Sequence, residues 1–396
     1  MAGQIRKRGE RVWLVRVYLG RDPATGSRKW LSKTVHGARK DAEALLRRLL
    51  REKDLGSLAR PSTVSLSEYL DRWLDEIARH RVRHSTLHGY REQLRRWVYP
   101  ILGGTRLCDL APVEVQDLYR RLLERGLTPA SVRRVHARLK TALKQAVRWG
   151  LIPHNPLDRV DPPRAPRREM RALSPDQARR FLEAARQDRF HALWWLLLET
   201  GLRPAEALAL RWQDLDLERG VVHVVRSLTW AGREWRFEEP KTPKARRAIA
   251  LSPGLTDALR AQRRAVMEQR LRAGPLWQDL DLVFPSELGT PLNLQNLRNR
   301  HFRVVAQRAG LPAGFRMYDL RHTSATLLLL AREHPKVVAE RLGHATVHMT
   351  LDTYSHVLPT LQLRATEKIA RLLSGAGEDL PGWGDGGGHT NDVHID

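Results

Sequence analysis

Five prolines, at 153, 156, 162, 163 and 166, fall within fourteen residues and divide this chain. Proline fixes φ and has no N–H to donate, so neither a regular helix nor an inner strand runs through such a stretch. Arginines fill the gaps. The segment, residues 153–170, is therefore expected to be an extended, semi-rigid, basic linker. Whatever folds must fold on either side of it, and 396 residues leave ample core for both sides.

Upstream, residues 1–60 carry sixteen Lys/Arg against six Asp/Glu. Trp13, Val15, Val17 and Leu19 alternate as one face of a strand. Asp22-Pro23-Ala24-Thr25-Gly26 makes a turn, and residues 29–35 return as a second strand. From Gly37 the period becomes helical, with Ala42, Leu45, Leu46, Leu49 and Leu50 on one side. This predicts a small β-sheet-plus-helix module at 1–60, with a hinge at Pro61-Ser62-Thr63. Residues 63–152 read as all-helical, since Leu66, Tyr69, Leu70, Trp73 and Leu74 keep the 3.6-residue period, as do Val115, Leu118 and Leu122. Thr128-Pro129 starts a helix that turns Val132, Val135, Leu139 and Leu143 inward. Its other face carries Arg133, Arg134, Arg138, Lys140, Lys144 and Arg148, a repeated cationic stripe suited to phosphates.

Downstream, Ser174-Pro175-Asp176-Gln177 forms a capping box. Residues 190–200 are apolar nearly all round, so that helix should be buried, and Gly201 ends it. Three short strands are expected at 221–225, 234–239 and 247–251, with Lys241-Thr242-Pro243-Lys244 as the turn between the last two. Helices are expected at 255–272, 293–309, 318–331, 335–342 and 347–357. The glycine-rich tail, 374–396, is expected to be disordered, and its His389 and His394 do not make a metal site. The fold class is thus mainly α with small β-sheets, ending in a mixed α+β domain at 171–373.

The formal charge of +25 points to a nucleic-acid partner rather than a small substrate. Cys108 is the lone cysteine, which excludes an internal disulfide and a thiolate metal cluster and fits a reducing cytoplasm. No apolar run has the length of a membrane span, so a soluble, cytoplasmic protein with no membrane partner is expected. The residues that carry chemistry gather late. Arg203 stands in Thr200-Gly201-Leu202-Arg203-Pro204, and Arg321 in Tyr318-Asp319-Leu320-Arg321-His322. His344 follows Leu342-Gly343, and Tyr354 lies in Thr353-Tyr354-Ser355-His356. Two guanidiniums make a fork-shaped clamp for one phosphate, and a tyrosine hydroxyl is a candidate nucleophile. With arginines to neutralise charge, neither a metal nor another cofactor is required.

These motifs, in this order and spacing, resemble the tyrosine recombinases, also called the phage integrase family. The Lys241 turn matches the family's β-hairpin lysine, and the set spans about 150 residues, with the domain order matching over the whole chain. The resemblance implies a helical core-binding domain at 63–152 and a catalytic domain at 171–373 that clamp DNA between them. It also makes residues 1–60 an arm-type DNA-binding domain, as in integrases of phages and integrative elements. Its implied chemistry has Tyr354 attack, leaving a 3′-phosphotyrosine and a free 5′-hydroxyl. Arg203 and Arg321 would hold the non-bridging oxygens, His344 would donate a hydrogen bond to the phosphate, and Glu206 would orient Arg203. Lys241 would protonate the leaving oxygen, with Lys244 as the alternative. Where the family has a histidine three residues before the second arginine, this chain has Tyr318, and a phenol is a poor base at neutral pH. The partners implied are double-stranded DNA at attachment sites, the protein itself as a tetramer on DNA, a host DNA-bending protein and a directionality factor. Leu358, Leu361, Leu363, Ile369, Leu372 and Leu373 offer an apolar series for the self-contact. Two rival readings use the same residues: type IB topoisomerase-like relaxation, and a DNA-binding regulator whose catalytic residues are vestigial. The basic N-terminal module and the complete Arg/Lys/Arg/His/Tyr set favour the recombinase.

Overall fold

The computed structural model describes residues 3–21, 26–54, 63–166, 170–232, 234–240 and 245–354, with a few positions between 366 and 374. The expected hinge at 61–62, the lysine turn at 241–244 and the tail beyond 374 lie outside the described residues. The chain forms two compact units, residues 1–168 with 231–234, and residues 169–230 with 235–396. Mainly helical, it carries three small sheets among the described residues. No helix among them is long and apolar enough to cross a membrane.

The first unit opens with an antiparallel sheet of β1 (Gly3–Gly9), β2 (Val12–Arg21) and β3 (Arg28–His36). Helix α1 (Arg39–Asp54) closes one face. Alternation puts Ile5, Val15, Val17 and Leu31 on that face, where Val15 and Val17 are fully buried against Ala42 and Leu49. The sheet has one strand more than expected, because β1 is a basic stretch with a single apolar anchor, Ile5. Leu19 does not join the core as its parity predicts. The register shifts between Tyr18 and Gly20, and a bulge breaks the alternation there.

The rest of the unit is helical. Helix α2 (Leu66–Trp73) starts on a Ser65/Glu68 capping box, and α3 (His84–Trp97), α4 (Pro112–Glu124) and α5 (Pro129–Arg148) follow. They enclose a core that includes Leu70, Leu94, Leu118 and Leu139. On α5, Arg133, Arg134, Lys144 and Arg148 are exposed, but two of the expected cations are engaged within the protein. Arg138 lies over the Tyr90 ring at 4.8 Å and donates to the Gly89 carbonyl, while Lys140 pairs with Asp158 at 2.9 Å. The expected linker is not extended at its start. Asn155 caps a 3₁₀ turn, Pro156–Arg159, which buries Leu157, and Val160 joins the same helical core. Proline at the first position of such a turn costs no hydrogen bond, which a count of prolines does not reveal.

The second unit packs around α7 (His191–Thr200), whose Leu193, Trp194, Leu196 and Leu197 are buried. Against it lie α6 (Pro175–Ala185), α9 (Pro253–Ala273) and α12 (Asp319–Leu330). Between α7 and α12 come a short helix α8 (Pro204–Ala207), then α10 (Leu294–Leu297), a π-turn at Arg298–Phe302, and α11 (Arg303–Arg308). Helices α13 (Pro335–Leu342) and α14 (Val347–Tyr354) close the described chain. Among the described residues, five strands replace the three expected: β4 (Leu215–Asp216), β5 (Val221–Val224), β6 (Ser227–Ala231), β7 (Glu234–Glu238) and β8 (Arg247–Ala250). Their pairing also differs. β7 pairs with β6, and β8 pairs with β5 in the order β4-β5-β8. Among the described residues, the strands on either side of positions 241–244 therefore belong to different small sheets and are not paired with each other.

Candidate active site

The site is built on helix ends. Gly201 closes α7 in the left-handed conformation at φ 66°. A Cβ there would meet Leu342 Cδ2 at 2.5 Å, so glycine is needed for approach as well as for φ. Arg203 follows in extended backbone as the cap of α8, with Pro204 at the first helical position. Its guanidinium donates to Glu206 Oε1 at 2.6 Å, and its N–H to Glu206 Oε2 at 3.0 Å.

Arg321 lies in the first turn of α12 and is 2 % exposed. A buried cation needs partners. Here they are carbonyls: Nη1 donates to Gly201 O and Nη2 to Leu342 O, both at 2.7 Å. Both carbonyls sit at helix C-termini, α7 and α13, where backbone acceptors are unpaired and the dipole is negative. No carboxylate among the described residues forms an ion pair with Arg321. Burial, and then the positive charge of Arg203, pushes this guanidinium down to about 10. The charge is thus held by dipoles, which leaves the site in want of an anion.

Gly343 ends α13 at φ 67°, and the chain turns back to present His344. The imidazole Nδ1 lies 2.8 Å from Thr350 Oγ1, in α14. Burial, with Arg321, Arg203 and Arg247 around it, pushes His344 down from 6.5 to about 4. It is therefore neutral at physiological pH and carries one N–H. Helix α14 ends at Tyr354, one turn beyond Thr350.

Tyr318 stands just before α12 and is 41 % exposed. It borders a cavity of about 540 Å³ together with Arg203, Trp230, Leu294, Arg298 and Met317. Its ring meets His322 edge-on at 5.4 Å. Asp319 is 1 % exposed and accepts from the Arg316 backbone at 2.8 Å and from its guanidinium at 2.7 Å, so it serves the start of α12. Of the residues singled out in the sequence, Arg203, Glu206, Arg321 and His344 come together, and Tyr318 flanks them. Lys241 and Lys244 lie outside the described residues.

One residue of the cluster escaped the sequence reading. The side chain of Arg247, on β8, is 6 % exposed and joins Glu206 Oε2 at 2.9 Å. Burial pushes the Glu206 carboxyl up, but Arg247 and Arg203 more than offset it and hold the group below its ordinary range. Parity was the available signal. Arg247 shares a strand face with the buried Ile249, and a charge on a buried face must be paired.

Comparison with known proteins places these residues in context. The profile of the phage integrase family matches residues 171–360, and that of the phage integrase N-terminal SAM-like domain matches residues 65–123. A tyrosine recombinase XerC-like protein of Caldanaerobacter subterraneus subsp. tengcongensis is 28% identical over 93% of this chain and 98% of its own. Tyrosine recombinase XerC of Chromohalobacter salexigens is 30% identical over 71% of this chain and 88% of its own. The ICEBs1 integrase of Bacillus subtilis is 26% identical over 91% and 97%. Among solved structures, the Tn1549 transposon integrase in complex with transposon right end DNA superposes with a TM-score of 0.63 at 26% identity, covering 76% of this chain and 98% of that one.

Proposed function

The chain belongs to the phage integrase family and is a tyrosine site-specific recombinase of the mobile-element integrase kind, and on that premise we propose how its residues divide the reaction. The substrate is double-stranded DNA at attachment sites. One scissile phosphodiester enters the cluster of Arg203, Arg321 and His344. The observation that carries this reading is the buried Arg321 fork, held by two helix-end carbonyls and paired with no carboxylate among the described residues. A phosphodiester anion is the complement of such a site.

In this reading Tyr354 gives its phenolic proton to solvent as its oxygen attacks phosphorus and the 5′-oxygen leaves, so one phosphodiester is exchanged for another and the bond energy is kept. Arg203 and Arg321 neutralise the non-bridging oxygens as charge builds on them. His344 donates its single N–H to the same oxygens. Nδ1 faces the Thr350 hydroxyl, so the N–H assigned to the phosphate is Nε2, in the tautomer in which Thr350 donates to Nδ1. Glu206 holds Arg203 in place. Lys241, or Lys244, gives a proton to the leaving 5′-oxygen. Tyr318, at the rim of the cavity beside Arg203, takes the place of a histidine and acts as a hydrogen-bond donor. Strand exchange proceeds in a tetramer on two sites, in the cytoplasm, with residues 1–60 bound to arm sites and with a host DNA-bending protein and a directionality factor as accessory partners.

Covalent capture tests the core of this reading. On a nicked core-site duplex, the wild type should accumulate a protein–DNA adduct, and Tyr354→Phe should bind the duplex yet form none. An adduct at wild-type level in the variant would remove Tyr354 from the mechanism. A plasmid assay separates the rivals, since a topoisomerase would relax DNA lacking any attachment site.

A further inference from the structure

Arg247 uses all three nitrogens of its guanidinium beside the cluster. Its Nη2 holds Glu206 Oε2 at 2.9 Å, while the other oxygen of that carboxylate holds Arg203 at 2.6 Å. Its Nε donates to the Arg341 carbonyl at 2.7 Å. The next carbonyl along, Leu342 O, is the one that Arg321 grips. Adjacent carbonyls at the end of α13 are thus held by two different arginines. Beyond them Gly343 lies close beside the Arg247 side chain, where an added Cβ would sit 3.0 Å from Nη1, and His344 follows. The third donor, Nη1, binds Ala245 O at 3.0 Å, on the return from the lysine turn.

We propose that Arg247 is a positioning residue of the recombination reaction, whose one guanidinium sets Arg203, through Glu206, and the His344 turn, through the Arg341 carbonyl, at a fixed separation. The proposal rests on the reading that Arg203 and His344 bind the scissile phosphate. A planar fork with donors on three edges is suited to this, and a lysine ammonium is not, because it places its donors at one point. Stability alone is a weak reason for such a residue, since a buried ion pair is often no better than well-packed apolar groups. What the pair supplies is geometry. The electrostatics agree, because Arg247 is among the charges that keep His344 neutral and Glu206 ionised.

The test uses the full chain and a nicked core-site duplex under single-turnover conditions, with Arg247→Lys and Arg247→Met. Both should bind the duplex as the wild type does. Both should cleave about 100-fold more slowly per folded molecule, the size of effect expected when reacting groups are misplaced by an ångström. In Arg247→Met the His344 imidazole, followed by its ring-proton resonance, should titrate at higher pH than in the wild type, and in Arg247→Lys it should stay low. Arg247→Lys preserves the charge beside Glu206, so it carries the test if the methionine variant does not fold. Cleavage by Arg247→Lys within about threefold of wild type would overturn the proposal, as that is below the effect of a lost orientation. So would a failure of Arg247→Lys to fold, which would make the residue structural. Arg203→Ala and His344→Ala serve as references. Normal cleavage by those two would sink the phosphate-site reading itself, a result distinct from any failure at Arg247.

Discussion

His344 shows how much of this site is set by its surroundings. Three arginines and burial lower its proton affinity from 6.5 to about 4, so the folded protein resists a proton that the unfolded chain accepts readily. The sign follows from linkage. The His344 contribution to stability is complete above about pH 6.5 and is lost as the pH falls toward about 4, because there the unfolded state alone gains the proton. Glu206, also shifted down, acts in a lower window, below the ordinary carboxylate value of 4.5. The expected outcome is that the wild type loses melting temperature between pH 6.5 and 4 more steeply than His344→Gln does. Parallel curves for the two proteins would show that His344 titrates normally. The sequence made His344 visible through the glycine before it. It hid the neutral state of the imidazole, because the charges responsible come from positions 203, 247 and 321, which only folding brings together. Arg247 was hidden for a related reason. It opens a strand of only four residues, too short for alternation to speak clearly.

Among the elements, the helices were the legible part. Long runs with period 3.6 and caps such as Ser174/Gln177 announce themselves locally, and α13 falls at the expected residues. Short strands depend on partners far away, so local sequence does not announce β4 or β6, nor does it reveal that β7 and β8 belong to different sheets. That correction bears on the general acid. The strand before the two lysines, β7, pairs with β6, and the strand after them, β8, pairs with β5. Lys241 lies three residues beyond the end of β7, and Lys244 three residues before the start of β8. Thr242-Pro243 separates the two lysines in the sequence, so their variants test two distinct positions. Lys241→Ala should slow cleavage of ordinary DNA by about two to four decades, as loss of a general acid does. It should approach the wild type when the 5′-bridging oxygen is replaced by sulfur, because a thiolate leaves without a proton. Lys244→Ala should be mildly affected on both substrates. Sulfur rescue of Lys244→Ala alone would reverse the assignment.

In the proposed reading the whole molecule brings a strongly basic module and a phosphate-cutting site to the same DNA, and the division of labour between them can be measured. Residues 1–60 carry sixteen Lys/Arg against six Asp/Glu, a net charge of +10. One face of the β1-β2-β3 sheet is closed by α1; on the other, the Arg16 guanidinium lies 5.0 Å over Trp30, and Tyr18 meets Trp30 at 5.2 Å. An aromatic and basic face on a small twisted sheet is of a size to enter a groove of duplex DNA. None of the residues that form the Arg203, Arg321 and His344 cluster comes from this module. Its removal should therefore spare chemistry and cost only binding. A chain beginning after residue 60 should form the covalent adduct on a core-site duplex at the wild-type rate when saturated. The same chain should fail to recombine a long attachment site with a short one. The salt dependence supplies an independent readout, since every phosphate that the protein no longer neutralises lowers the slope of log affinity against log salt by about 0.9. On long-site DNA the truncated protein should show a clearly shallower slope than the full chain, and on core-site DNA the two slopes should coincide. Normal integration by the truncated protein, or equal slopes on the long site, would remove residues 1–60 from DNA recognition. Failure to form the adduct on core DNA would instead mean that the module is needed for the chemistry itself.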